Sequence, residues 1–203
     1  MDRSPPRGLL RSVETMKTTL TPRTRMITAT VGLGAVLLGA TGCSAIALPT
    51  GPEYDKSQSY EFKDLKDSNA HQVLPAWTPK GATNIKEEQR TTGHERLMVM
   101  DVSASKAPGA CVALKGPGKP TASEIERGLV AEGTSTSEAA HQGADQYTTP
   151  LLEADWWPAG QQDKTTHLCG KWWVSLADGK LYAYSPETQS VAEGVKHDRA
   201  EQK

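Results

Sequence analysis

The sequence lacks an apolar segment long enough for a typical transmembrane helix. Its most apolar stretch, residues 26–42, carries no charge but contains four glycines, whereas about 20 predominantly apolar residues are needed to cross a bilayer. The 18 glycines and 13 prolines among 203 residues are too few for a collagen-like repeat. Polytopic membrane proteins and collagen-like proteins are therefore excluded, and the 36% of hydrophobic residues is typical of a globular chain.

Acidic side chains outnumber basic ones outside the N-terminal region. Residues 1–43 hold six basic and two acidic side chains, which leaves 17 basic and 22 acidic side chains for residues 44–203. A mildly acidic body without a basic patch has no electrostatic attraction for phosphate backbones. We therefore expect no nucleic acid among its partners.

The common catalytic and ligand-binding motifs are missing as well. The sequence has no G-x-S-x-G, no P-loop and no G-x-G-x-x-G. Its five histidines are scattered, without H-x-x-x-H or H-E-x-x-H spacing. Ser103-Ala104-Ser105-Lys106 matches S-x-x-K, but the K-T-G motif that accompanies it in penicillin-interacting enzymes is absent. We therefore predict no catalytic residue, no metal site and no cofactor.

The N-terminal region has the layout of a secretory signal peptide. Arg23 and Arg25 precede residues 26–42, whose apolar core is short and whose end consists of small residues. A basic region, a short apolar region and a small-residue end are typical of such peptides. Residues 1–42 are therefore predicted to be a signal peptide, with Met16 as an alternative translation start.

The end of this segment, Leu38-Gly39-Ala40-Thr41-Gly42-Cys43-Ser44, resembles the lipobox of bacterial lipoproteins. Thr41 and Gly42 match the two positions before the family's cysteine, and Ala40 stands where leucine is commoner. The resemblance implies that the leader is cleaved before Cys43 and that the thiol of Cys43 carries a diacylglycerol. Two or more acyl chains such as palmitate, at about 0.8 kcal/mol per buried CH₂, would hold the protein on the extracytoplasmic face of the cell membrane.

Two other fates of the leader remain open. Ala45-Ile46-Ala47 is an A-x-A pattern, so an ordinary signal peptidase that cuts after Ala47 would release a secreted protein. An uncleaved leader would itself serve as a membrane anchor.

The remaining two cysteines predict a disulfide. With Cys43 lipidated, Cys111 and Cys169 are left in the exported chain. An even number of cysteines in an oxidising compartment favours a bridge between them. Such a bridge would contribute about 4 kcal/mol in the chain-entropy model. Two buried free thiols are the alternative.

Composition sets the expected domain boundaries. Residues 43–70 are polar, with charges of both signs, and predict a lipidated cysteine followed by a flexible tether. The alternative is that Tyr60 and Phe62 pack onto the domain as an edge strand. Residues 71–190 are predicted to form the globular domain, and the polar residues 191–203 a disordered tail.

Local patterns in the body predict an α+β domain that is dominated by an antiparallel sheet and contains one short helix and one disulfide. Residues 84–91 and 95–102 flank a glycine-containing turn and predict a hairpin. Thr121 and Glu124 fit a capping box, which begins a helix that ends near glycine 133. The next ten residues predict a loop or a weak second helix.

A second hairpin is indicated by Asp178-Gly179. This dipeptide suits a type I′ turn, because both central positions need positive φ, and it sets a register in which Trp173 faces Tyr184. Alternation then places Trp173, Tyr182 and Tyr184 on one face of the hairpin and the aliphatic side chains on the other.

The aromatic residues suggest a binding face. Trp156 and Trp157 lie close in sequence to Trp173, Tyr182 and Tyr184, and exposed Trp and Tyr together form a stacking surface for sugars, peptides or proteins. The alternative is that a helix or loop covers this face, so that both faces of the sheet are core.

A second resemblance concerns the body. The run Leu74-Pro75-x-Trp77-x-Pro79-x-x-Ala82-x-x-Ile85, followed by Thr91-Thr92-Gly93 and a later Cys111, is similar to small exported proteins of high-GC Gram-positive bacteria. It covers about 40 residues and implies export alone.

The sequence therefore predicts a lipid-anchored, extracytoplasmic envelope protein without enzymatic activity, whose partners beyond the membrane are an envelope protein or a carbohydrate. The alternative function is a ligand-binding or hydrolytic domain that uses the aromatic face. A pocket with an acid or histidine beside exposed aromatic residues would favour the alternative, and a closed face would favour the first prediction.

Overall fold

An antiparallel sheet forms the centre of the domain. The computed structural model describes residues 52–103 and 106–203. The strands that it describes are β1 (Ser57–Asp64), β2 (Thr83–Arg90), β3 (Arg96–Asp101), β4 (Val112–Ala113), β5 (Gln146–Tyr147), β6 (His167–Cys169), β7 (Trp172–Ala177), β8 (Lys180–Ser185) and β9 (Glu187–Thr188). Seven of them form one sheet in the order β1-β2-β3-β8-β7-β6-β4, and β5 pairs with β9 in a second, two-stranded sheet.

Helices connect the strands and close the chain. They are α1 (Ala70–Val73), α2 (Ala122–Glu132), α3 (Thr136–Asp145) and α4 (Gln189–Glu201), with a 3₁₀ turn at Gln161–Lys164. Every adjacent pair in the seven-stranded sheet is antiparallel. The predicted α+β class with a dominant antiparallel sheet is confirmed. In the part of the chain that the structure describes, no helix has both the length and the apolarity to span a membrane.

The β7–β8 hairpin has the predicted turn and register. Asp178 and Gly179 have φ angles of 51° and 72°, as a type I′ turn requires. Trp173 pairs with Tyr184 and Leu176 with Leu181. The backbone preference of the two turn residues therefore specifies which side chains of the β7–β8 hairpin share a face.

Local capping determines where the two middle helices begin. The Thr121 side chain accepts a hydrogen bond from the Glu124 amide, and the Glu124 carboxylate accepts one from the Thr121 amide at 3.0 Å, which confirms the capping box. α2 ends at Gly133, whose φ of 107° is left-handed. The region after it, predicted as a loop or weak helix, is α3, capped by Ser135.

The structure corrects both predicted domain boundaries. Residues 57–64, expected within a flexible tether over residues 43–70, form edge strand β1, in which Phe62 pairs with Ile85 and is 6% exposed. This is the alternative that the aromatic pattern left open. Residues 191–203, expected as a disordered tail, belong largely to α4, whose Ala192 and Val195 are fully buried. The fold therefore extends beyond residues 71–190 on both sides.

Charged contacts explain why these polar ends are folded. Asp55 accepts hydrogen bonds from Arg199 Nε at 2.7 Å and from Arg90 Nη1 at 3.0 Å. The Asp198 carboxylate accepts bonds from the amides of Tyr54 at 2.5 Å and Asp55 at 2.9 Å. An ion pair and backbone hydrogen bonds, together with apolar packing of Ala192 and Val195 near Tyr54, thus hold α4 against the residues that precede β1.

Both faces of the large sheet are packed. We call one the disulfide face, because Cys169 lies on it together with Ile85, Met98, Val174 and Ala183. The other, the helix face, carries Leu97, Trp173 and Tyr184 against Ile125 and Leu129 of α2. The predicted disulfide between Cys111 and Cys169 is confirmed, and it links residues 58 positions apart.

Candidate functional site

The predicted aromatic face is closed at its centre. Trp173 is 1% exposed and Tyr184 is 0% exposed, because α2 and the segment around Leu152 pack on the helix face. The two rings contact each other edge to face, with centroids 5.4 Å apart. An open stacking surface that includes these two residues is therefore ruled out, and both faces of the sheet are core.

The other three predicted residues lie at the margin of the helix face. Trp156, Trp157 and Tyr182 are half-buried. Trp157 contacts Trp156 and Tyr182 edge to face, at centroid distances of 6.3 Å and 5.9 Å. They form a small aromatic cluster that packs against the buried core rather than a flat platform.

The predicted lipidation site, Cys43 with the lipobox around it, lies outside the described residues. Cys111 and Cys169 are joined in the disulfide, so neither thiol is free.

A polar cleft opens at one end of the disulfide face. Its volume is about 480 Å³, and it lies between the sheet and the α1 region. The sheet side contributes charged, amide and aromatic side chains, and the α1 region contributes one amide and two apolar side chains. The residues that line it are Tyr60, Glu87, Gln89, Arg96, Lys171 and Trp172 from the sheet side, and Gln72, Val73 and Pro75 from the other.

Glu87 occupies an inward position of β2. It pairs with Tyr60 on β1 and with Met98 on β3, and directly paired residues in adjacent strands point to the same face. Glu87 is 1% exposed, and neither of its carboxylate oxygens has a hydrogen-bond partner among the described residues. Such a group is costly to bury without a partner, and this makes Glu87 the candidate ligand-binding carboxyl of the cleft.

Two cations approach this carboxyl without satisfying it. Arg96 Nε lies 3.8 Å from Glu87 Oε1, which is too long for a direct hydrogen bond. Arg96 is held in place because its Nη1 donates to the backbone carbonyls of Arg90, Gly93 and Glu95 at 2.8–3.2 Å. Lys171 lines the same cleft.

Burial dominates the electrostatics of the cleft. It raises the pKa of Glu87 to about 7, against the opposing effect of Arg96 and Lys171. Burial also lowers the pKa of Lys171 and the pKa of Arg96. A carboxyl that titrates near neutral pH can either accept or donate a hydrogen bond. The cleft can therefore hold a ligand through hydrogen bonds to Glu87 on one side and through the positive charges of Arg96 and Lys171 on the other.

A second buried charged cluster has a different character. Arg90 and Glu95 form a fully buried ion pair at 2.9 Å. The second Glu95 oxygen accepts the Leu151 amide at 2.5 Å, and the Glu187 carboxylate accepts the amides of His94 and Glu95 at 2.6 Å and 3.0 Å. These carboxylates are occupied by the protein itself, and the cluster therefore serves to join the β2–β3 turn, β9 and the segment around Leu151.

Sequence reasoning missed the Glu87 cleft. The available signal is the alternation of β2: Ile85 points into the core, so Glu87, two residues later, points to the same side. A lone carboxylate at an inward strand position is a departure from the apolar pattern. Arg96 lies on the neighbouring strand of the same predicted hairpin, whereas Lys171 is distant in sequence and only the fold brings it beside Glu87.

The chemistry of its lining residues is the basis on which the function of this cleft is assigned. No group of three or more His, Cys, Asp or Glu side chains that could hold a metal ion occurs within residues 52–103 and 106–203. Searches against protein-family models, curated proteins and solved structures found no match for this chain.

Proposed function

We propose that this chain is a lipid-anchored, extracytoplasmic envelope protein that acts by binding rather than by catalysis. The single structural observation that supports this proposal is the Cys111–Cys169 disulfide, which is typical of exported proteins. It accounts for two of the three cysteines in the sequence, and the third, Cys43, stands at the lipobox.

The disulfide supports export on chemical grounds. Disulfides form and persist in oxidising compartments and are rare in the cytosol. The leader, which resembles a signal peptide, and the disulfide-bridged domain therefore both indicate export. The lipobox adds attachment, because a diacylated N-terminal cysteine would keep the exported domain at the membrane surface.

The cleft at Glu87 supports a binding role. Its lining combines one carboxyl with Arg96 and Lys171, a set suited to hold a small polar ligand by charge and hydrogen bonds. The aromatic face, on which the alternative of a ligand-binding or hydrolytic domain depended, is largely core. We therefore assign the proposed ligand-binding role to the cleft and not to the aromatic face.

Replacement of Cys43 tests the anchor. The Cys43→Ala variant should lose incorporation of a labelled fatty acid and should move from the membrane fraction to the medium, or accumulate with its leader uncut. Ser44→Ala, one residue further along, is the matched control and should remain labelled and membrane-bound. Both variants keep Cys111 and Cys169, so the folded domain is not disturbed.

Mass spectrometry of the mature N-terminus separates the remaining alternatives. A diacylated Cys43 at the N-terminus supports the proposal. A wild-type chain that begins at residue 48, after Ala47, would show ordinary secretion, and an intact leader on the wild-type chain would show an uncleaved anchor. Either of these results would overturn the lipid anchor.

A further inference from the structure

We propose that the cleft between β1, β2 and α1 binds a small hydroxylated acid, such as a sugar acid, with ligand hydroxyl groups at Glu87 and the ligand's carboxylate at Lys171. This deepens the binding role proposed above. It is independent of the lipid anchor, so failure of one leaves the other standing.

The hydroxyl groups are inferred from Glu87. Both of its carboxylate oxygens lack a hydrogen-bond partner among the described residues, and the side chain is 1% exposed. Because burial raises the pKa of Glu87 to about 7, both protonation states are populated at neutral pH. A hydroxyl group fits both states with a single atom, since its oxygen donates to a carboxylate and accepts from a carboxylic acid.

The acidic group is inferred from the charges in the lining. Lys171 and Arg96 are basic, and Glu87 is the acidic residue among the lining side chains. Glu132 and Glu187 also act on Lys171, but neither lines the cleft. Within the lining itself, a ligand carboxylate beside Lys171 would therefore meet two basic side chains and one acidic one.

The size and walls of the cleft fit a single sugar unit. A volume of about 480 Å³ lies at the small end of ordinary ligand pockets. Tyr60, Trp172 and Pro75 give it apolar walls for ring carbons, while Gln72 and Gln89 add amides that can both donate and accept. A plain inorganic anion would leave Glu87 unpartnered and these walls uncovered.

Calorimetric titration of the detergent-solubilised full chain at pH 7 tests the proposal with three probes. D-glucuronate carries hydroxyl groups and a carboxylate, D-glucose lacks the carboxylate, and acetate lacks the hydroxyl groups. Glucuronate should bind about tenfold more tightly than either of the others, as expected for one additional charged hydrogen bond. Absence of saturable glucuronate binding, or equal binding of glucose or acetate, would overturn the proposal.

Two variants locate the contacts. Glu87→Leu should weaken glucuronate binding about tenfold by removing the hydroxyl contact, and Lys171→Gln should remove the preference for glucuronate over glucose. Glu88→Leu is the matched control, because Glu88 follows Glu87 on β2, faces the other side of the sheet and bonds Ser59 at 2.5 Å. It should bind glucuronate as the wild type does.

The thermal unfolding midpoint of each variant accompanies the titrations. Should Glu87→Leu fail to fold, Lys171→Gln still tests the charge contact through the ratio of glucuronate to glucose affinity. Unchanged glucuronate binding by a folded Glu87→Leu, an unchanged ratio in Lys171→Gln, or an equal loss in Glu88→Leu would each assign the binding to another place and overturn the proposal.

Discussion

Replacing Glu87 with glutamine should stabilise the domain at neutral and alkaline pH but not at acid pH. Burial raises the pKa of Glu87 in the folded protein from an ordinary 4.5 to about 7. Below pH 4.5 the carboxyl is protonated in both the folded and unfolded states, and its burial carries no charge penalty. Between pH 4.5 and about pH 7 the unfolded chain ionises while the folded protein keeps the proton, so stability falls over this range. Above about pH 7 the folded protein holds an ionised carboxylate without a hydrogen-bond partner.

The size of the effect follows from the difference between the two pKa values. At 1.36 kcal/mol for each pKa unit, the wild-type free energy of unfolding should lose about 3 kcal/mol between acid pH and pH 8 through this residue alone. Glutamine keeps the shape and cannot ionise, so Glu87→Gln should be about 3 kcal/mol more stable than the wild type at pH 8. The two proteins should approach the same stability near pH 4.5.

Urea unfolding of both proteins between pH 4.5 and pH 8, without reducing agent, measures this difference directly. Other titrating groups affect both proteins alike and cancel in the comparison. Glu88→Gln is the control for loss of one negative charge, since Glu88 lies next to Glu87 on the opposite face of the sheet. A difference between wild type and Glu87→Gln that does not change with pH would refute the reasoning.

Two further predictions test other parts of the fold. The double variant Cys111→Ala/Cys169→Ala should lose about 4 kcal/mol of unfolding free energy, because the bridge spans 58 residues; urea unfolding that shows a loss below about 1 kcal/mol would speak against a stabilising bridge. Gly194→Ala should destabilise the domain by about 1–3 kcal/mol, because its Cβ would lie 2.6 Å from the Tyr54 ring. In an undocked tail the same change would be neutral or would stabilise the helix by up to about 1 kcal/mol, so the sign of the change in thermal unfolding decides whether α4 is docked.

The parts of the fold that could be predicted from sequence are those specified by adjacent residues. Asp178-Gly179 has one favourable turn geometry, which carries the register of the whole β7–β8 hairpin with it. Thr121 and Glu124 cap α2 through bonds to each other's backbone. In both cases the information lies within a few residues of the element.

The elements that were missed depend on distant partners. β1 is polar in composition and becomes a strand because Phe62 and Tyr60 meet β2. α4 has a narrow apolar stripe, and its docking relies on Arg199 reaching Asp55, 144 positions earlier. The aromatic residues Tyr60 and Phe62 are the local signature of β1, but the surrounding residues have the polar composition of a tether. The contact between Arg199 and Asp55 leaves no local signature, so α4 has the composition of a tail.

The candidate site shows the same division. Alternation on β2 indicates that Glu87 points inward, but its neighbours Arg96 and Lys171 come from β3 and from the residue before β7. The prediction of an exposed aromatic face was wrong for a related reason. The hairpin pattern correctly places Trp173 and Tyr184 on one side, but it contains no information on α2, which covers them.

The hydrogen bonds from the Tyr54 and Asp55 amides to Asp198 limit how far the domain can stand from a membrane. Eleven residue steps separate Cys43 from Tyr54, and a fully extended chain gains at most about 3.6 Å per residue. On the proposed anchor, the first secured residue thus lies within about 40 Å of the lipid headgroups. The domain would work as a close neighbour of the bilayer, within reach of molecules at that surface but not of the outer layers of a thick cell wall.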